Sequence, residues 1–133
     1  MLISAGKNYI MENMRKDNEL PVCTKKWGWK FHHIGIPTNE VQPNEKYIRK
    51  FKLYTSGFTT NPFGVELMRY ENDSPIDMRI QTEPHLAFLV NDLDYELKSH
   101  KFNIITPPNA PSNGVRVAMI EYDNTIIELI EFK

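Results

Sequence analysis

The sequence predicts an α+β domain built from two loosely repeated halves. Three observations carry that reading. His33-Ile34-Gly35-Ile36-Pro37-Thr38-Asn39-Glu40 resembles His85-Leu86-Ala87-Phe88-Leu89-Val90-Asn91-Asp92, each stretch opening on histidine. Val65-Glu66-Leu67-Met68-Arg69-Tyr70 resembles Ile127-Glu128-Leu129-Ile130-Glu131-Phe132, each with glutamate second. All four segments alternate with a period of two and are rich in β-branched and aromatic residues, the pattern of strands. The interval from histidine to glutamate is longer in the second half, by about the length of a short helix.

Taken along the chain, residues 1–29 read as a polar N-terminal extension. It carries the run Arg15-Lys16-Asp17-Asn18-Glu19 before Pro21, a candidate short helix from Asn8 to Met14, and alternative starts at Met11 and Met14. Trp27 and Trp29, running into Phe31, read as the half-buried start of a strand with lysines as its solvated partners. The globular part spans residues 30–133, with a first module at 30–80 and a second at 81–133. In the first module Thr38 to Asn44 is a proline-bearing loop where a helix is expected, and Lys46 to Thr55 reads as extended. In the second, Asp92 to Ser99 reads as a helix capped by Asn91 or Asp92. A strand from Asn103 to Thr106 ends at Pro107-Pro108. Strands at Gly114 to Tyr122 and Thr125 to Phe132 follow, joined by a tight Asp123-Asn124 turn.

Composition narrows the function. Sixteen basic against seventeen acidic side chains give a net charge of −1, which disfavours nucleic acid as a partner. With 41% hydrophobic and 25% charged residues the chain reads as a soluble globular protein with no membrane span. Cys23 has no second cysteine to pair with, and Met1 to Ile10 offers no apolar targeting core, so the expected compartment is the cytoplasm.

The polar residues of the repeated strands carry the chemistry. The alternation places His33 beside Gly35 and His85 beside Ala87 on their strand faces, each imidazole next to open volume, while His32 faces the other way together with Ile34. Glu128 shares a face with Ile126, Ile130 and Phe132, and a carboxylate among apolar neighbours needs a cation or a metal. Taken singly, each of these residues has an ordinary structural explanation. Taken together, two histidines and two glutamates occupy equivalent places in two halves. Packing about a pseudo-twofold axis would gather all four into one cup. Imidazole and carboxylate suit a borderline divalent ion: zinc, nickel, cobalt, manganese or iron.

These residues resemble the vicinal oxygen chelate superfamily, which includes glyoxalase I, methylmalonyl-CoA epimerase, extradiol dioxygenases and the fosfomycin and bleomycin resistance proteins. The resemblance spans Lys30 to Lys133. It rests on Phe31-His32-His33-Ile34-Gly35-Ile36, on Val65-Glu66-Leu67 followed by Asp73-Ser74-Pro75-Ile76, on Pro84-His85-Leu86-Ala87-Phe88, and on Gly114-Val115-Arg116-Val117-Ala118 leading into Ile126-Ile127-Glu128-Leu129.

The resemblance implies two βαβββ modules forming an open β-cup, the first with its helix reduced or lost, and metal ligands His33, Glu66, His85 and Glu128. That quartet is similar to glyoxalase I, but the arginine and asparagine with which that family reads glutathione are replaced here by Pro37 and Tyr70. Lactoylglutathione is therefore not the expected substrate. The implied activity is that of a metal-dependent lyase or isomerase that binds the vicinal oxygens of a small carbonyl substrate and stabilises an enediolate. Glu66 or Glu128 would be the base, and Tyr70 and Arg116 the substrate-binding residues, Arg116 for an anionic group. The resemblance also implies a homodimer. The competing readings are a non-catalytic small-molecule-binding module of the same fold and a regulatory or structural dimer partner with a vestigial site.

Overall fold

A computed structural model describes residue 16 and residues 18–133. The candidate helix from Asn8 to Met14 and the alternative starts lie outside the described residues. One eight-stranded sheet dominates, with strands β1 (Lys30–Pro37), β2 (Lys46–Ile48), β3 (Leu53–Ser56), β4 (Val65–Tyr70), β5 (His85–Leu89), β6 (Asn103–Ser112), β7 (Val115–Tyr122) and β8 (Thr125–Phe132). Among the described residues three short helices accompany it: α1 (Val22–Lys25), α2 (Met78–Thr82) and α3 (Leu93–His100).

The strand order is β2-β3-β4-β1-β5-β8-β7-β6. In each half the first and last strands pair in parallel, β1 with β4 and β5 with β8, and the remaining strands add antiparallel outside them. The halves meet where β1 runs antiparallel to β5. That connectivity gives each half the same topology and relates them by a pseudo-twofold axis through the β1–β5 seam. The sheet curls into an open cup, as the repeat implied.

The two faces of the sheet carry different cores. Outside, α3 lies over the second half, and Leu93, Ala118, Ile120 and Leu129 close against Trp29 and Val90. Asp92 caps α3 by accepting a hydrogen bond from Tyr95 N at 3.0 Å, and buried Glu131 accepts Leu93 N at 3.0 Å. Inside, Ile80, Met119 and Ile126 form one apolar cluster and Ala87, Val117 and Ile130 another. The chain preceding β1 contributes to the outer core. Trp29 is buried and donates through Nε1 to buried Glu96 at 2.9 Å, and Trp27 stacks on His100 at 3.8 Å.

No helix lies between β1 and β2, in keeping with the proline-bearing loop expected there. The loop is anchored at its end by a bidentate Glu45–Arg69 pair, with Arg69 lying 4.1 Å above the Tyr54 ring. The extended reading of Lys46 to Thr55 becomes β2 and β3, interrupted by a 3-10 turn at Arg49–Phe51 and by Lys52 with φ of 49°. The Asp123-Asn124 turn has φ of 50° and 60°, as a type I′ hairpin requires. One strand end departs from expectation. β6 continues through Pro107 and Pro108 to Ser112, because it is an edge strand whose prolines face no partner ladder and because three register shifts against β7 absorb the missing donors. No described helix is long and apolar enough to cross a membrane.

Replacing Trp29 with alanine empties part of the outer core and leaves the buried Glu96 carboxylate with His100 in place of two partners. Chemical denaturation should show a loss of about 3–5 kcal/mol, within the range for large aromatic truncations.

Candidate metal centre

The four central strands, in the order β4-β1-β5-β8, carry Glu66, His33, His85 and Glu128. Register sets them in two rows. In one, Gly35 stands opposite both Glu66 and His85. In the other, Ala87 stands opposite both His33 and Glu128. Each row therefore reads imidazole, small residue, carboxylate, and the pseudo-twofold axis exchanges the rows. The small residues matter sterically. Flanking side chains can lean toward each other only across a position with little volume, and a Cβ on Gly35 would meet His85 Nε2 at 2.6 Å.

The side chains converge accordingly. His33 Nε2 lies 3.3 Å from a Glu66 oxygen and 3.4 Å from Glu128 Oε1, and His85 Nε2 lies 3.4 Å from that same Glu128 atom. Both Nε2 atoms are buried and neither has a hydrogen-bond partner. These separations are long for an N–H···O bond. They match two ligands of one ion, since atoms about 2.1 Å from a metal at tetrahedral or octahedral angles lie roughly 3.0–3.4 Å apart. His33, His85 and Glu128 form a compact group with ligand atoms within 4.8 Å of one another. Glu66 touches His33 but stands outside that group. All four residues come from one chain.

Electrostatics separates the two carboxylates. Burial alone would push Glu128 up, but the imidazoles of His33 and His85 outweigh burial and hold its carboxyl at about 2. For Glu66 burial is the largest influence, reinforced by the charge of Glu128 and opposed by His33, His85 and Lys46, and its pKa is raised. Burial lowers His33, yet the two carboxylates beside it prevail and raise it.

Strand alternation alone misplaces two residues. His32 was expected to face away from the cup, but the β1–β5 register slips between Phe31 and His33. This bulge turns Phe31 outward against Phe88 and leaves His32 beside His33, their Nδ1 atoms 2.8 Å apart and the His32 ring stacked on Phe58 at 4.4 Å. One proton between those nitrogens holds the His33 ring with Nε2 toward the carboxylates, as an outer partner of a metal-binding histidine does. The doubled histidine was visible in the sequence; the bulge that makes it useful was not.

Arg116 does not reach the cup. It lies on the outer face, paired bidentately with Asp94 of α3 at 3.0 Å and 3.0 Å and close to Glu131. In β7 the inward residues are Val117 and Met119, and Arg116 alternates with them. Tyr70 does line the interior, where burial and the charges of Glu128 and Glu66 push its phenol up and keep it neutral.

Above the four polar residues lies a cavity of about 470 Å³. Its walls are largely apolar, with Leu53, Met68, Ile80 and Met119 facing the proline segment of β6. A second cavity, of about 450 Å³, adjoins it along Thr55 and Glu66, bounded by Gln42, Asn44, Lys46 and Thr60.

No family model matches the sequence, and no curated protein does. Solved structures do. The hypothetical protein BH1468 of Bacillus halodurans C-125 superposes with a TM-score of 0.63 at 20% identity, covering 79% of this chain and 95% of its own. Methylmalonyl-CoA epimerase of Mycobacterium tuberculosis superposes with a TM-score of 0.56 at 17% identity, covering 78% of this chain and 88% of its own. At these identities the likeness is one of fold.

Gly35→Ala should displace the His85 imidazole, read as a shift of its side-chain NMR resonances, while circular dichroism still reports the folded sheet. The metal-free protein should also respond to acid through Glu128. Its folded pKa of about 2 lies below the ordinary 4.5, so its contribution to stability is complete above 4.5 and is lost as pH falls toward 2. Glu128→Gln should flatten that limb of the acid-unfolding curve.

Proposed function

We propose that the protein is a metal-dependent lyase or isomerase of the glyoxalase type, acting on a small carbonyl compound with adjacent oxygens. The observation that carries this reading is the pair of buried, unpartnered imidazole nitrogens facing a shared carboxylate oxygen on the floor of a cavity. His33, His85 and Glu128 would hold the ion, with Glu66 completing the set. A divalent ion there would supply Lewis-acid stabilisation of negative charge on a substrate's adjacent oxygens.

The chain's own residues would do the rest. Glu128 contacts both imidazoles and is committed to them, whereas Glu66 contacts one, borders both cavities and keeps a raised pKa, which makes it the better proton acceptor. Proton abstraction next to a carbonyl, followed by return of that proton to the same or the adjacent carbon, would give the isomerase outcome, whereas loss of a leaving group from the neighbouring carbon with its bonding electron pair would give the lyase outcome. Tyr70, neutral beside the two carboxylates, would orient the substrate through its hydroxyl. The apolar walls would exclude water from the carbanionic species. We further propose a homodimer of single-domain chains in which each cup is complete on its own.

Elemental analysis after exposure to zinc, nickel, cobalt and manganese should find about one ion per chain, lost in a His33→Ala, Glu128→Ala double variant. In deuterated water the loaded protein should exchange the carbon-bound protons of 2-hydroxyketones, followed by NMR. Glu66→Gln should slow that exchange by about 10²–10⁴-fold, the usual worth of a general base. A protein that stays metal-free under all four ions would overturn the reading.

A further inference from the structure

The residue expected to bind an anionic group, Arg116, is neutralised on the outer face by Asp94, which leaves the question of what charge the cavity itself presents. Two charged side chains line its walls in addition to the metal-site residues, Asp77 and Lys50. Asp77 caps the start of α2, where its Oδ1 accepts the Arg79 backbone N–H at 2.8 Å, and it keeps its negative charge. Lys50 sits on the 3-10 turn between β2 and β3 and forms no ion pair among the described residues. One N–H of its ammonium is given to the Ala110 carbonyl at 2.9 Å, across the mouth from the proline segment of β6. The other two remain available to a ligand.

The backbone that carries Lys50 is also set apart from the metal-site residues. Glu66 and Tyr70 lie on the same strand, separated by roughly 13 Å of extended backbone, and Tyr70 pairs with Leu53, which Lys50 precedes. The walls include Leu53, Met68, Ile76 and Met119, and the Lys50 ammonium also lies 5.6 Å from the centre of the Phe51 ring. The cavity thus offers metal-chelating groups, largely apolar walls and, on the turn between β2 and β3, one cation without an ion pair among the described residues.

We propose that Lys50 reads an anionic group at the far end of the substrate, so that the substrate class is an elongated carbonyl compound with adjacent oxygens at one end, an apolar body, and a carboxylate or phosphate at the other. This rests on the metal-dependent function proposed above and adds to it the polarity of the substrate.

The test uses the zinc-loaded protein and hydroxamates, whose two adjacent oxygens chelate zinc, in place of the unidentified substrate. Monohydroxamates of adipic, suberic and sebacic acid, and of the corresponding monophosphate-terminated chains, are compared by calorimetry at low salt with alkyl hydroxamates of matching length. Wild-type protein should prefer the chains with a terminal anion by roughly three- to tenfold, most strongly at one length, as suits a partly exposed charge pair. The carboxylate and phosphate series distinguish the two anions. Lys50→Met should remove the preference while alkyl hydroxamates still bind, Lys50→Arg should restore it, and Lys98→Met, on the outer helix, should leave it intact. Equal binding of charged and alkyl chains by the wild type, or a preference that survives Lys50→Met, overturns the role of Lys50 and leaves the metal reading standing. Stoichiometric zinc with no hydroxamate bound overturns the substrate class. Failure to bind zinc overturns both.

Discussion

The antiparallel seam between β1 and β5 is the constraint on which the rest of the molecule depends. It opposes Gly35 to His85 and Ala87 to His33, so each imidazole lies across a small residue of the other half. The parallel partners β4 and β8 then bring Glu66 and Glu128 against those same small residues. Shifting the seam by one position would turn each set of side chains to the other face and send the histidines into the outer core. A site made from side chains on four strands is thereby specified by backbone pairing, with rigid elements behind each donor.

The two halves repeat in topology and differ in what covers them. The second half keeps α3, and the principal apolar core forms beneath it, drawing in Trp29 from the segment before β1. The first half replaces the helix with a loop held by Glu45 and Arg69, and the second cavity opens beside that loop. Departure from symmetry thus separates a structural half from one that shapes access. Glu66, the less constrained carboxylate, lies on the side with the loop, and Glu128, clasped by both imidazoles, lies on the side with the helix.

Much of the fold was legible because strand repeats survive in sequence as residue type and order. The paired histidines, the paired glutamates, the helix after β5 with its Asp92 cap, and the Asp123-Asn124 turn all follow from local chemistry: alternation, capping and positive φ. The continuation of β6 past Pro107 was not legible, since a proline's tolerance depends on whether its missing donor would have faced a neighbour. The bulge at His32 was equally hidden, because a single extra residue leaves the alternation pattern looking intact on either side.

What the sequence by itself determined is the inventory: two imidazoles and two carboxylates at equivalent positions, each half with a small residue two places beyond its histidine, and a nearly balanced charge. Only the tertiary structure decided which groups meet. It set His33, His85 and Glu128 within 4.8 Å and left Glu66 at the margin. It placed Arg116 outside against Asp94 and Lys50 at the mouth of the cavity. The reason is physical. Residue type and alternation are local properties, whereas the direction in which a charge points and the partner that neutralises it depend on strand register and on which helix covers which face.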